Sequence, residues 1–338
     1  MFNNEYSKML AEKYGYKDWM ISRFLNFVPD TENLLEYTEN TKSPNYEYIR
    51  ANNLKIESQN LKGRLIEKGY GIKDTILKEV FKVEKTKDEA ANNAEESRKN
   101  NGLPSIGSTL EYLKGYYYIQ DLSSCIAVDE LEIGGNNNCM TVLDMASSPG
   151  GKTTFISQKM NNGGKIIACE PNPKRIPSLI FNLSRCGVKN TSIFNIFGED
   201  VGKLATSFDR ILLDAPCTCE GIIIKDETRK KSRTLKDIEI CSYRQKKLIQ
   251  SALHVLKPSG IMIYCTCSFA PEENEMIIDD LIRNNKDENI EIMPLKYGVE
   301  GLTEFGNHQF EKDISKTKRL YPHIHNTNGF YIAKLRKK

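Results

Sequence analysis

Residues 141–154 read TVLDMASSPGGKTT, a short apolar run that ends in a glycine pair and is followed by residues suited to a helix. Strand, tight turn and helix in that order open a βαβ unit, so this stretch decides the fold. The pattern repeats downstream. KIIACE, TSIFNIF, FDRILLDAP, GIMIYCTCS and GFYIAKL are short apolar strands, with helical stretches between them that include Lys174–Cys186 and Ile238–Leu256. The alternation predicts an α/β, Rossmann-like, doubly wound and mainly parallel sheet that binds its ligand beyond the carboxyl ends of its strands.

The loop itself is ambiguous. GGKT matches the end of the nucleotide-triphosphate loop G-x-x-x-x-G-K-[ST], but Ala146 stands where that pattern needs its first glycine, and Pro149 removes a backbone N–H that a phosphate cradle would use. A glycine turn before a helix N-terminus still suits a carboxylate or a nucleotide. Glu170 ends the next strand about twenty residues on, where the dinucleotide-fold logic puts an acid on ribose hydroxyls. Together they suggest an adenosine-containing ligand; a structural turn with a surface glutamate is the plainer alternative.

Working outward, Met9, Leu10, Trp19, Met20, Phe24, Leu34 and Leu35 recur at mostly helical spacings with Pro29 as a break, which predicts a helical lead-in over 1–45. YEYIRANNLKI reads as a strand and Ser58–Lys68 as a helix that Gly69 ends. A small α/β domain is expected over 46–120, with a mobile polar loop near 85–107, and a larger domain over 121–338. The chain has 338 residues, with 48 basic and 45 acidic ones, so its net charge of +3 points to no partner by itself. The N-terminus MFNNEYSKML lacks the apolar core of a signal peptide, and no run approaches the roughly 18 apolar residues of a membrane span. A cytoplasmic monomer without membrane contact is expected. The nine cysteines, at 125, 139, 169, 186, 217, 219, 241, 265 and 267, are expected to be reduced thiols.

Two of them fall at strand ends. LLDAPCTCEG sets Asp214, Pro216 and Cys217 directly after one apolar strand, and YCTCSFAPEENE sets Cys267 directly after another. Cys217-x-Cys219 and Cys265-x-Cys267 also read as a four-cysteine metal set, but structural zinc favours wider spacings in closed loops, and no metal is expected. Small buried hydrophobes would account for Cys265 and Cys219, though not for Asp214 and Pro216.

These residues resemble one family, the RNA cytosine-C5 methyltransferases of the NSUN or Nop/Sun type. DMASSPGGKTT is similar to its D-x-C-A-A-P-G-G-K-T loop, LLDAPCTCEG to its D-A-P-C-S-G segment and YCTCSFAPEENE to its Y-S-T-C-S-x-x-P-E-E-N-E segment. YEYIRANNLK resembles the family's R-V-N-T-L-K strand, and YYYIQDLSS and RLYPHIHNTNGFYIAKL are similar too, so the likeness covers about Tyr46 to the C-terminus. It implies S-adenosylmethionine as cofactor and a Rossmann-like methyltransferase sheet. It implies Cys267 as the nucleophile on carbon 6 of cytosine, Cys217 as the residue that releases the methylated base, and Asp214 beside the ring near N3. For the cofactor it implies the loop of Ala146, Ser147, Ser148, Pro149, Gly150, Gly151 and Lys152, with Glu170 on the ribose and Arg175 and Asp214 nearby. Asp200 is the expected reader of the adenine edge, with Glu199 as an alternative. Ala146, Ser147, Ser148, Thr218 and Cys219 depart from the family pattern without removing a group the chemistry needs.

An RNA partner requires a basic surface. Lys225–Lys236 carries Lys225, Arg229, Lys230, Lys231, Arg233 and Lys236, a candidate for phosphate contacts, and a solvated surface run is the plainer reading. Arg50, Asn52, Lys55 and the terminal KLRKK would extend it. Absence of a long appended RNA-binding domain places transfer RNA ahead of ribosomal RNA as the expected substrate. A P-loop ATPase and a non-catalytic RNA- or metal-binding protein are the readings of other classes.

Overall fold

The computed structural model describes residues 4–41, 46–84, 103–134 and 139–338. Two compact units divide the chain: Met1–Lys42, Leu213–His254 and Pro258–Lys338 form one, and Ser43–Leu212 with Val255–Lys257 the other. The lead-in consists of α1 (Asn4–Tyr14), α2 (Asp18–Phe27) and α3 (Thr31–Asn40), with Pro29 between the last two. Its apolar stripe does not stand alone. Met20, Ile21, Phe24, Leu34 and Leu35 are buried in one cluster with Ile223, Phe269 and Tyr321, which joins these helices to the C-terminal segments of their unit. The N-terminal segment of this unit ends at Lys42, and its helices pack with much later segments because an amphipathic helix goes where its apolar face finds cover.

In the other unit β1 (Tyr46–Ala51), α4 (Ser58–Glu67), β2 (Gly71–Asp74), β3 (Val80–Glu84), α5 (Leu110–Leu113) and β4 (Tyr117–Ile119) follow. Their four-stranded antiparallel sheet has the order β2-β3-β1-β4. Ile49, Ala51, Leu61, Leu65, Phe81 and Tyr117 form its core. Of the loop expected near 85–107, residues 85–102 lie outside the described residues; at its far end Ile106 is buried in that same core.

The chain continues through α6 (Leu122–Asp129), β5 (Thr141–Asp144), α7 (Gly151–Lys159), β6 (Lys165–Cys169), α8 (Ile176–Cys186), β7 (Thr191–Phe194) and β8 (Phe208–Asp214). These strands are parallel in the order β8-β5-β6-β7, and Val142 is in register with both Ile166 and Arg210. The β5–β6 and β6–β7 steps carry α7 and α8, while β7 and β8 are joined through a 3-10 turn, and Val142, Leu143, Ile166, Ile167 and Leu212 are buried runs rather than alternating patterns.

In the first unit α9 (Arg229–Ser232), α10 (Leu235–Val255), β9 (Leu256–Thr266), α11 (Glu275–Asn284), β10 (Ile290–Met293), β11 (Val299–Glu300), β12 (Glu304–Phe305), β13 (His308–Gln309), β14 (Lys318–Leu320), α12 (Pro322–His325) and β15 (Phe330–Lys337) complete the chain. Here the order is β11-β14-β15-β9, with β10 also on β15, and β14, β10 and β9 all pair antiparallel to β15. The nine-stranded α/β sheet is thus mixed, not mainly parallel. Between β14 and β15 the connection, residues 321–329, is too short for the crossover that a parallel neighbour demands. Among the described residues no helix is long and apolar enough to cross a membrane.

Candidate active site

The loop after β5 is closed on itself. Ser147 donates its amide and its hydroxyl to the Cys169 carbonyl at 3.0 and 2.9 Å, and the Gly150 amide donates to the Ser147 carbonyl at 2.7 Å. Gly150 takes φ 106, a left-handed conformation that starts α7. The peptide before Pro149 is cis. Amides spent inside the loop cannot cradle phosphates, whereas the first amides of α7 have no helical partners and suit a carboxylate. The structure thus agrees with Ala146 and Pro149 in disfavouring a triphosphate.

Glu170 follows β6 and is buried, its carboxylate accepting from the Asn172 amide at 2.8 Å and pairing with Arg175 at 3.5 Å. Arg175 also donates to the Ser148 carbonyl at 2.8 Å, so it ties the loop to this acid. Asp200 lies in a 3-10 turn, Gly198–Leu204, after β7 and pairs with Lys203 at 2.7 Å. Loop 145–150, Glu170 and Asp200 therefore all follow carboxyl ends of the parallel strands of one unit. A buried acid, an N-terminal helix turn and a glycine turn form a donor set that fits the ribose and amino-acid ends of S-adenosylmethionine. Asp144, buried at the end of β5, accepts from the Thr153 hydroxyl at 2.7 Å and holds loop and helix together. Asp144 opens the DMASSPGGKTT motif, and only its burial and its bond to Thr153 reveal this role.

The thiols sit in the other unit. Cys217 and Cys267 arrive from loops 50 positions apart with their sulfurs 3.2 Å from each other. Cys219 lies 3.7 Å from Cys217, and all three sulfurs fall within 4.8 Å of one another. Cys265, expected as a buried hydrophobe, is fully buried and donates to Asp214 Oδ1 at 3.6 Å. Cys219 is not the second such hydrophobe: it is half-buried at φ 67, where the resembled D-A-P-C-S-G segment carries its glycine.

Ionisation in this cluster is shared. Hydrogen bonds from Cys217 and Cys267 pull the Cys219 thiol far below the ordinary thiol range. The contact with Cys219, then that with Cys267 and burial, hold Cys217 well above it. For Cys267 the bond to Cys217 acts downward, but Cys219 and burial outweigh it and the thiol is pushed up. Three thiols this close titrate as one coupled group rather than as separate residues.

A buried polar shell positions these loops, and sequence reasoning missed it. Glu273 accepts from the Thr218 amide at 3.1 Å, from Gln245 at 2.8 Å and from Ser268 at 2.7 Å, and also from the Thr218 hydroxyl. Glu220 accepts from the same two hydroxyls, at 2.7 Å from Thr218 and 2.9 Å from Ser268. Burial, then the neighbouring Glu220, raises Glu273 to about 7. The Gly221 amide donates to the Cys267 carbonyl at 2.8 Å, and a Cβ there would lie 2.1 Å from the Gly329 carbonyl oxygen, so only glycine allows these backbones to meet. Glu273 and Gly329 stand in APEENE and NTNGFYIAKL, but only as parts of longer motifs.

A family model described as 16S rRNA methyltransferase RsmB/F matches residues 134–336. The chain belongs to the RsmB/F family. The 26S rRNA (cytosine-C(5))-methyltransferase nsun-1 of Caenorhabditis elegans is 38% identical over 339 residues, which cover 98% of this chain and 48% of that protein. The chain therefore spans about half the length of this curated relative. A methyltransferase homolog protein from Pyrococcus horikoshii superposes with a TM-score of 0.83 at 36% identity, covering 98% of this chain and 99% of that one. NSun6 from Pyrococcus horikoshii, solved with SFG, gives 0.77 at 26% identity over 94% of this chain and 96% of its own. The resemblance to the Nop/Sun enzymes and the Rossmann-like methyltransferase fold are borne out.

Within this RsmB/F chain the basic residues separate into two kinds. Arg50 is fully buried and donates to Gln120 at 2.5 Å, the Gly151 carbonyl at 2.7 Å and Thr154 at 2.8 Å. Asn52 donates to the Gly115 and Cys186 carbonyls, both at 2.8 Å, and Lys55 to those of Lys114 and Arg185. Arg50 and Asn52 are buried and hold loops together, so they do not extend a basic surface as expected, whereas Lys55 is exposed while its ammonium bridges two carbonyls. Lys230 is buried over the Tyr16 ring and pairs with Glu39, Arg229 pairs with Asp226, and Arg233 donates to the Thr218 carbonyl at 2.8 Å. Lys334, in the terminal KLRKK, is buried in β15, and Lys337 pairs with Glu288 at 2.7 Å. Lys225, Lys231 and Lys236 remain on the surface.

Proposed function

We propose that this chain methylates carbon 5 of a cytosine in RNA, with ribosomal RNA as the substrate class. The observation that carries the reading is the pair of strand-end thiols, Cys217 and Cys267, whose sulfurs lie 3.2 Å apart. Carbon 5 of cytosine becomes nucleophilic only after a thiolate adds to carbon 6, and Cys267 is the residue for that attack. Asp214, at the end of β8, hydrogen-bonds near N3 and stabilises the adduct. Cys217 promotes the final elimination, in which a base takes the carbon-5 proton as the bond between Cys267 and carbon 6 breaks. When bound, S-adenosylmethionine supplies the methyl group as an electrophile. Ala146 to Lys152, Glu170, Arg175 and Asp200 would hold it. Sequence alone favoured transfer RNA; the rRNA names of the matching family and of the Caenorhabditis elegans relative support the alternative instead.

The test is transfer of labelled methyl groups to ribosomal and transfer RNA prepared without this activity. Cys267→Ala should lower transfer by about 10³-fold or more, and Cys217→Ala should accumulate a denaturation-resistant protein–RNA adduct. Full activity in Cys267→Ala would overturn the mechanism, and equal activity on transfer RNA would overturn the substrate class.

A further inference from the structure

A third thiol beside the pair changes what the site can hold. Cys219 reaches it through a backbone conformation of φ 67 and ψ 34 that only the loop's fixed ends impose. Those ends are tied on both sides: Thr218 is bonded to Glu273 and Glu220, and Gly221 to the Cys267 carbonyl. The three sulfurs are accordingly preset, with separations of 3.7 Å for Cys217–Cys219 and 3.2 Å for Cys217–Cys267. A tetrahedral ion with metal–sulfur bonds of about 2.3 Å spaces its sulfurs about 3.8 Å apart, so one pair already fits and the other must open by roughly half an ångström. All three side chains are half-buried and reachable from solvent, while Cys265 is committed to Asp214.

We propose that Cys217, Cys219 and Cys267 form a binding site for a soft, thiophilic dication of the zinc and cadmium class, with a fourth position left to solvent. On ligation each thiol gives its proton to water and each sulfur donates one lone pair. Given the methyl-transfer reading above, an ion held there occupies the nucleophile and inhibits the enzyme reversibly. Cys219 would then make the site sensitive to such ions, because two thiols alone form a weak chelate.

Binding is measured on the full chain without RNA or cofactor, by competition of Zn²⁺ against a chromophoric chelator and by the thiolate-to-metal charge-transfer absorption of Cd²⁺. One equivalent is expected in the wild type. Cys219→Gly, which suits the left-handed backbone and so threatens folding least, should weaken Zn²⁺ binding by roughly 100-fold. Cys241→Ser, a thiol outside the cluster, should bind as the wild type does. Absence of stoichiometric binding in the wild type, unchanged affinity in Cys219→Gly, or lost affinity in Cys241→Ser would each overturn the site. Because none of these measurements uses methyl transfer, their failure leaves the proposed activity standing, and inactivity of the enzyme leaves the metal site standing.

Discussion

Glu273 is a carboxyl group kept from water by the shell it organises, and its protonation couples that shell to pH. Folded, it keeps its proton up to about 7, against an ordinary value of 4.5. A raised carboxyl contributes stability that is complete below its unfolded value and is lost as pH rises through the folded one. Thermal stability of the wild type should therefore fall between about pH 4.5 and pH 7, and Glu273→Gln, which does not ionise, should flatten that fall. Parallel melting profiles in variant and wild type would exclude the coupling. At this scale Asp214, Cys217 and Cys267 were legible in the sequence, since a thiol or acid directly after an apolar strand is placed at a sheet edge by local rules. Glu273 and Glu220 were not, because an acid's burial depends on which hydroxyls and amides meet it, and those come from other loops.

Strand β1 shows the same division at the scale of an element. Its apolar and β-branched residues announced a strand, but Arg50 within it looked like a phosphate contact. Instead its guanidinium crosses to α7, bonding the Gly151 carbonyl and Thr154, and lies 4.7 Å over the Phe155 ring. Arg50→Ala should therefore destabilise the fold by about 3 kcal/mol or more in denaturant titrations, since it strips charged hydrogen bonds from a dry site. Unchanged stability with weakened RNA affinity would instead restore the surface role. Helix α10, Leu235–Val255, likewise begins three residues before the Ile238 that its apolar period suggested. Its first turn is polar because Thr234 and Asp237 bond each other there. Gln245 in its middle turns inward to Pro216 and Glu273 at 2.8 Å, which no hydrophobic period reveals.

Across the whole molecule, chain order and compactness part company, for the lead-in helices belong with Leu213–His254 and Pro258–Lys338, far later in the chain. Phe24 of α2 meets Phe269 edge to face at 5.6 Å, and Phe269 stands two residues after Cys267. Phe24→Ala should cost about 3–5 kcal/mol and also slow methyl transfer, as measured by unfolding and by turnover on the same preparation. A stability equal to wild type would show that the lead-in is dispensable to that core. Sequence by itself determined the α/β alternation, the glycine turn after β5 and the strand-end positions of Asp214, Cys217 and Cys267. Each of these follows from periodicity and residue type over a few neighbouring positions. Only the tertiary structure decided that Cys219 joins the thiol pair, that Arg50 and Lys230 are structural, and that the sheet gains an antiparallel half. Those outcomes depend on which distant surfaces bury one another, and burial is a property of the packed chain rather than of any stretch within it.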